Sequence, residues 1–167
     1  MLKMIAFVLF VLCGAVGGFT LSEKLRIRRD SCRAVCEMLH RISMLIRYRK
    51  MDMFEIIREL KSCKEYSNLH FLSELPDYYE PCDDFHKLWE NAVQSDRNLE
   101  TEERNCLVSF GHALGKSDIE GQLLSIDGTC EIIKDIQQRC NEEYLRKSKL
   151  YKSVGVLLGT MTGIMII

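Results

Sequence analysis

Proline is nearly absent from the 167 residues, which hold only Pro76 and Pro81. Long helices are therefore permitted, because proline is the residue that removes a helical N–H and clashes with the turn before it. Strict alternation of apolar and polar residues, the mark of a half-buried strand, is missing as well, so the fold class is read as all-α. Charge of one sign is also lacking: the formal net charge is −1, which gives no general pull toward nucleic acid. Catalytic signatures are scarce. Gly111-x-x-x-Gly115-Lys116-Ser117 comes near a phosphate loop, but it has three residues between its glycines where four are needed, and a helix precedes it instead of a strand. With no nucleophile elbow and no paired carboxylates in an apolar frame, neither an enzyme, a cofactor nor a small-molecule substrate is expected.

Cysteine is plentiful, yet its eight positions (13, 32, 36, 63, 82, 106, 130 and 140) include no Cys-x-x-Cys. Most fall at helical apolar positions. We read them as reduced, small core hydrophobes of a cytosolic domain. Cys32, Cys36 and His40 fall at i, i+4 and i+8 on one helix and offer soft zinc ligands. A structural zinc site wants four ligands, and no second Cys/His pair has ligand spacing, so a core stripe with a histidine at its edge is the simpler account and no metal is expected. Cys82-Asp83-Asp84-Phe85-His86 reads as a capped helix start with a surface histidine.

The apolar residues, 47% of the chain, gather at the two ends. Met4 to Leu21 is uncharged over 18 residues, with Lys3 before it and Glu23, Lys24, Arg26, Arg28 and Arg29 after it. That length suffices to cross a hydrocarbon core of ~30 Å at ~1.5 Å per residue. Arg146, Lys147, Lys149 and Lys152 precede the second apolar stretch, so the positive-inside rule puts both flanks in the cytoplasm and both termini outside. Ser153 to Ile167 supplies only 15 residues, a short span even when Tyr151 sits in the interface and Lys152 snorkels. Gly14 and Gly18 in the first segment, and Gly155, Gly159 and Gly163 in the second, repeat every four residues and are candidates for close membrane-helix packing. A cleaved signal peptide on an exported, cysteine-paired protein is the rival account, and a membrane-bound thiol or zinc protein is a third.

Between the ends, helical periodicity runs from Leu21 to about Arg49 through Leu25, Cys32, Val35, Leu39, Ile42 and Ile46. Asp52 caps a second helix ending near Ser67-Asn68, and Leu69 to Leu75 form a short apolar piece. Asp83 or Asp84 caps a helix built on Phe85, Leu88, Trp89, Ala92 and Val93, and Thr101 opens another with Cys106, Leu107 and Phe110. Gly115 suits the left-handed residue that closes that helix, and Ser117 with Glu120 forms a capping box for the last one. Within this last helix Gly128 implies a close contact or a bend. The expected organisation is an N-terminal transmembrane helix at 1–21, a cytosolic bundle of five or six helices at 22–152 and a C-terminal transmembrane helix at 153–167. The polar turn at Leu114, Gly115, Ser117, Asp118 and Gln122 is the candidate partner-binding or helix-junction site, because a helix start offers free N–H groups.

Several of these pieces coincide with a known pattern. Phe85-x-x-x-Trp89-x-x-Ala92, Leu114-Gly115-Lys116-Ser117-Asp118-x-x-x-Gln122 and the closing Tyr151-Lys152-x-x-Gly155-Val156-Leu157-x-Gly159 resemble stage III sporulation protein AB of endospore-forming bacteria over essentially the full length. The resemblance implies a membrane protein of the mother cell facing the forespore, in a channel-like complex required for late forespore development. It also implies a soluble domain similar to the platform protein of type II secretion machines (GspF). By that analogy the partners are a cytosolic secretion-type ATPase, other membrane subunits of the complex and the lipid bilayer.

Overall fold

The computed structural model describes residues 2–49, 51–76, 84–115 and 118–166. Pro81, Cys82 and Asp83 of the expected turn, together with Lys116 and Ser117, lie outside them. The elements are helix α1 (Leu2–Met44) with a π turn at Leu45–Arg49, α2 (Met53–Ser62), a 3-10 turn at Lys64–Tyr66, α3 (His70–Glu74), α4 (Phe85–Ser95), α5 (Thr101–Ala113) and α6 (Ile119–Ile166). Among the described residues there is no strand. The chain divides into two compact units. One gathers Met1–Arg29 with Arg139–Ile167, and the other holds Asp30–Gln138.

The bundle unit, Asp30–Gln138, is built on side chains. Asp52 opens α2 with a capping box: its carboxylate accepts from the Glu55 N–H at 2.9 Å, while Glu55 accepts from the Asp52 N–H at 3.3 Å. The helix buries Ile56, Ile57 and Leu60 and stops at Ser62, earlier than its composition suggests. The reason is positional. One more turn would carry Lys64 onto the face of Leu60 and turn Tyr66 outward, whereas extended backbone at Cys63 followed by a 3-10 turn buries Tyr66.

Trp89 of α4 is the centre of the core, 1% exposed. Phe71, Phe85 and Phe110 surround it with ring centroids at 5.4, 5.9 and 6.0 Å. Its indole N–H donates to the Leu107 carbonyl of α5 at 2.8 Å, so the burial leaves no orphan donor. Gly111 faces the same ring so closely that a Cβ there would overlap its Cδ1 and Nε1. Beside it, His86 bonds through Nδ1 to the Gly111 carbonyl at 2.9 Å. The loop residue Asp96 is buried and closes α3 from outside that helix, accepting from the Phe71 N–H at 3.0 Å and from the Asn98 N–H at 2.9 Å.

In the other unit the N-terminal part of α1 lies beside the C-terminal part of α6. Gly14 neighbours Gly155 and Gly159, Gly18 neighbours Tyr151 and Gly155, and Gly159 neighbours Phe10 and Val11. Rising numbers in one helix meet falling numbers in the other, so the pair is antiparallel.

Candidate functional site

The α1/α6 pair is the first place where residues of one chemistry converge. A Cβ built on Gly14 or Gly18 would collide with the carbonyl oxygens of Gly155 and Tyr151 respectively. One built on Gly155 would stand 2.5 Å from Gly14 O, and one on Gly159 would stand 2.8 Å from Phe10 O. Each of these four positions therefore requires glycine, because backbone faces backbone with no room for a methyl group. Gly163, the fifth residue of the set, is buried. Gly17, by contrast, has nothing within 4 Å of its Cβ position.

Ser22 and Ser148 are buried as well. Ser22 continues the four-residue step of Gly14 and Gly18, and Ser148 lies seven residues before Gly155. The sequence signal for them was the small residue at the next helical repeat, which a search for glycine alone passes over.

Beyond the serines the pair is tied by charge. Glu143 accepts from Lys147 at 2.6 Å and faces Arg28 at 3.8 Å, and the Lys147 bond holds its carboxyl below the usual range. The Arg29 guanidinium sits 4.3 Å above the Tyr144 ring, and the Lys152 ammonium 5.6 Å from the Phe19 ring. The outer surface is apolar: Val16 and Phe19 of α1, and Leu158, Met161, Ile164 and Met165 of α6, are more than half exposed. Among the described residues α1 is the one helix long and apolar enough to cross a membrane, and only 11% of its apolar window is buried.

The second candidate, the α5–α6 junction, lies in the bundle unit. Leu114 is 3% exposed, and its N–H donates to the Phe110 carbonyl at 3.1 Å. Gly115 then takes φ +75°, the left-handed conformation that ends a helix without strain only at glycine. The cap of α6 is Asp118, one residue later than the expected Ser117. Its carboxylate accepts from the Gly121 N–H at 3.0 Å, and its carbonyl receives the Gln122 N–H at 3.0 Å. Glycine stands three positions on, so the Asp118 side chain caps without a reciprocal partner. The expected box involves Ser117, which lies outside the described residues. Gly115 and Asp118 are exposed and Gln122 is half-buried, so the junction presents part of the expected set and turns Leu114 into the core.

The three soft ligands considered for zinc are not brought together. Cys32 Sγ points to a Glu103 carboxylate oxygen at 3.5 Å, Cys36 Sγ to Gln137 Oε1 at 3.9 Å, and His40 is exposed. Burial pushes the Cys36 thiol up to about 11 and raises those of Cys106 and Cys130, which keeps all three protonated and poorly nucleophilic at neutral pH. The seven described cysteines carry free thiols.

Neither a curated protein nor a solved structure matches the chain. A protein-family model does, over residues 3–167 and so over nearly the whole length. The small-residue repeats of the helix pair, the Leu114–Gln122 turn and the Trp89 helix all fall inside that match: the chain belongs to the stage III sporulation protein AB family and has a role at that stage of sporulation.

Proposed function

We propose that the protein is a non-catalytic membrane platform subunit of a sporulation-specific, secretion-like channel complex between mother cell and forespore. In this reading α1 and the C-terminal part of α6 both cross the membrane, and the GspF-like bundle stands in the mother-cell cytoplasm. The Leu114–Gln122 junction receives a secretion-type ATPase, while other membrane subunits meet the spans.

The observation that carries it is the backbone contact between α1 and α6 at Gly14 and Gly155. Helices that touch backbone to backbone while exposing large aliphatic side chains all round suit a hydrocarbon solvent, where close approach of small residues drives association. In water the same surface would be an aggregation liability. The C-terminal stretch is short for a span, and its partnership with α1 offsets that by holding it at a fixed depth beside a longer helix. The protonated, buried thiols favour a structural use of cysteine over a catalytic one.

Topology tests the reading. Among the described residues of the bundle, Cys63 and Cys106 are the half-buried thiols and hence usable reporters, whereas Cys32, Cys36 and Cys130 are shielded by the fold. In sporulating cells a membrane-impermeant thiol reagent is expected to label Cys63 and Cys106 only after the membrane is opened. Labelling in intact cells would place the bundle outside the cytoplasm and overturn the platform role.

A further inference from the structure

Two exposed helix faces of the bundle unit carry opposite charge in equal measure. Over residues 33–49 Arg33, Arg41, Arg47 and Arg49 stand against Glu37 alone, a net +3 with His40 neutral. Over residues 119–138 Glu120, Asp127, Glu131 and Asp135 stand against Lys134 alone, a net −3. All ten of these charged residues are exposed. Internal pairing does not cancel the basic face. Glu59 takes both Arg41 and Arg49, at 2.7 and 2.8 Å, and one carboxylate cannot neutralise two guanidinium groups.

Each face also presents large apolar side chains among its charges. Met44 and Tyr48, one helical turn apart, are 57% and 70% exposed, and Leu124 and Ile132 are 75% and 53% exposed. Midway between Leu124 and Ile132 stands Gly128, with nothing of this chain within 4 Å of its Cβ position. Two aliphatic side chains flanking a missing one form a notch of the kind that receives a side chain from a facing helix.

We infer that a second copy of this chain docks its Leu124–Gly128–Ile132 face, with its acidic fringe, onto the Met44–Tyr48 face, with its arginines. Charge selects this pairing over the others available between copies. Either face set against its own counterpart would bring net positive to net positive or net negative to net negative, and like charges across an interface disfavour association. The contact is thus heterologous, and each copy keeps one basic and one acidic face in use, so copies extend into a ring or row.

The test uses the full chain in a nonionic detergent, with mass measured by light scattering over a range of concentration and salt. Association at low salt is expected, falling as the Debye length shrinks from about 10 Å at 0.1 M to about 3 Å at 1 M. Arg47→Glu and Glu131→Arg should each weaken association at least about tenfold while leaving helicity by circular dichroism unchanged. An equimolar mixture of the two should recover it, because the intact basic face of one variant meets the intact acidic face of the other and the swapped faces are complementary. A chain that stays monomeric at every concentration and salt overturns the inference. So does association that resists both substitutions, which would assign it to the apolar helix pair. Loss in both variants without recovery on mixing also overturns it, and would assign the two faces to a different protein.

Discussion

In the helix pair, Gly14 and Gly155 meet main chain to main chain; in the bundle, Gly111 meets the flat side of Trp89. Both sites exclude a methyl group, yet the neighbour differs in kind. The bundle site is fixed by a large ring that is itself held by the Leu107 carbonyl and three aromatic neighbours, so its stability is that of a water-excluding core. The pair has backbone in place of a ring at Gly14 and Gly155, and so close an approach is stabilised by dispersion between the two main chains. The first arrangement suits a body surrounded by water. The second works where the solvent is as apolar as the side chains.

Removing the ring breaks the comparison most severely. Trp89→Ala should destabilise the bundle by about 4 kcal/mol through lost burial and a residual cavity, read as a fall in the denaturation midpoint. Gly111→Ala attacks the same contact from the other side and should cost about 2 kcal/mol, since the indole has nowhere to retreat.

The pair is probed by a matched set. Gly14→Leu drives a side chain into the Gly155 carbonyl and should part the helices, at a cost on the order of 2 kcal/mol. Gly17→Leu lies on the same helix but enters open space, so it should leave the pair together and at most add the few tenths of a kcal/mol to about 1 kcal/mol by which leucine favours a helix over glycine. Resistance to unfolding in detergent, with spore yield as the cellular readout, separates the two. Equal effects at both positions would mean that the close approach contributes nothing.

Much of this was legible because the signals were local. Asp52 and Glu55 stand three residues apart and cap each other, Gly115 follows the last helical residues of α5, and the glycines of α1 and α6 advertise a small face by their four-residue step. What escaped depended on partners distant in sequence. Asp96 carries no local sign that it caps α3, because the N–H it receives belongs to Phe71, 25 residues earlier. Helix α2 ends at Ser62, short of the expected Ser67-Asn68, because burial of Tyr66 decides against the helical propensity that continues past Ser62. At the α5–α6 junction Asp118 caps the helix directly after Ser117, and since serine and aspartate are nearly equal as caps only the chain path chooses between them.

Gly128 is the smallest and sharpest test of what a helical glycine is for. Of the close contact or bend expected there, the contact is absent: the position is exposed in mid-helix with nothing near its Cβ, unlike Gly14, Gly111 or Gly155. A methyl group there meets no obstacle, and alanine restricts the unfolded chain while favouring the helix. Gly128→Ala should therefore stabilise the isolated chain by about 1 kcal/mol, with a raised midpoint in thermal or denaturant unfolding. The same substitution fills the notch between Leu124 and Ile132, so under conditions where copies associate it should weaken that association even as it strengthens the fold. Opposite signs in the two measurements would set Gly128 apart from the glycines that the fold itself requires. A stabilised chain that associates as before would leave the notch without a purpose.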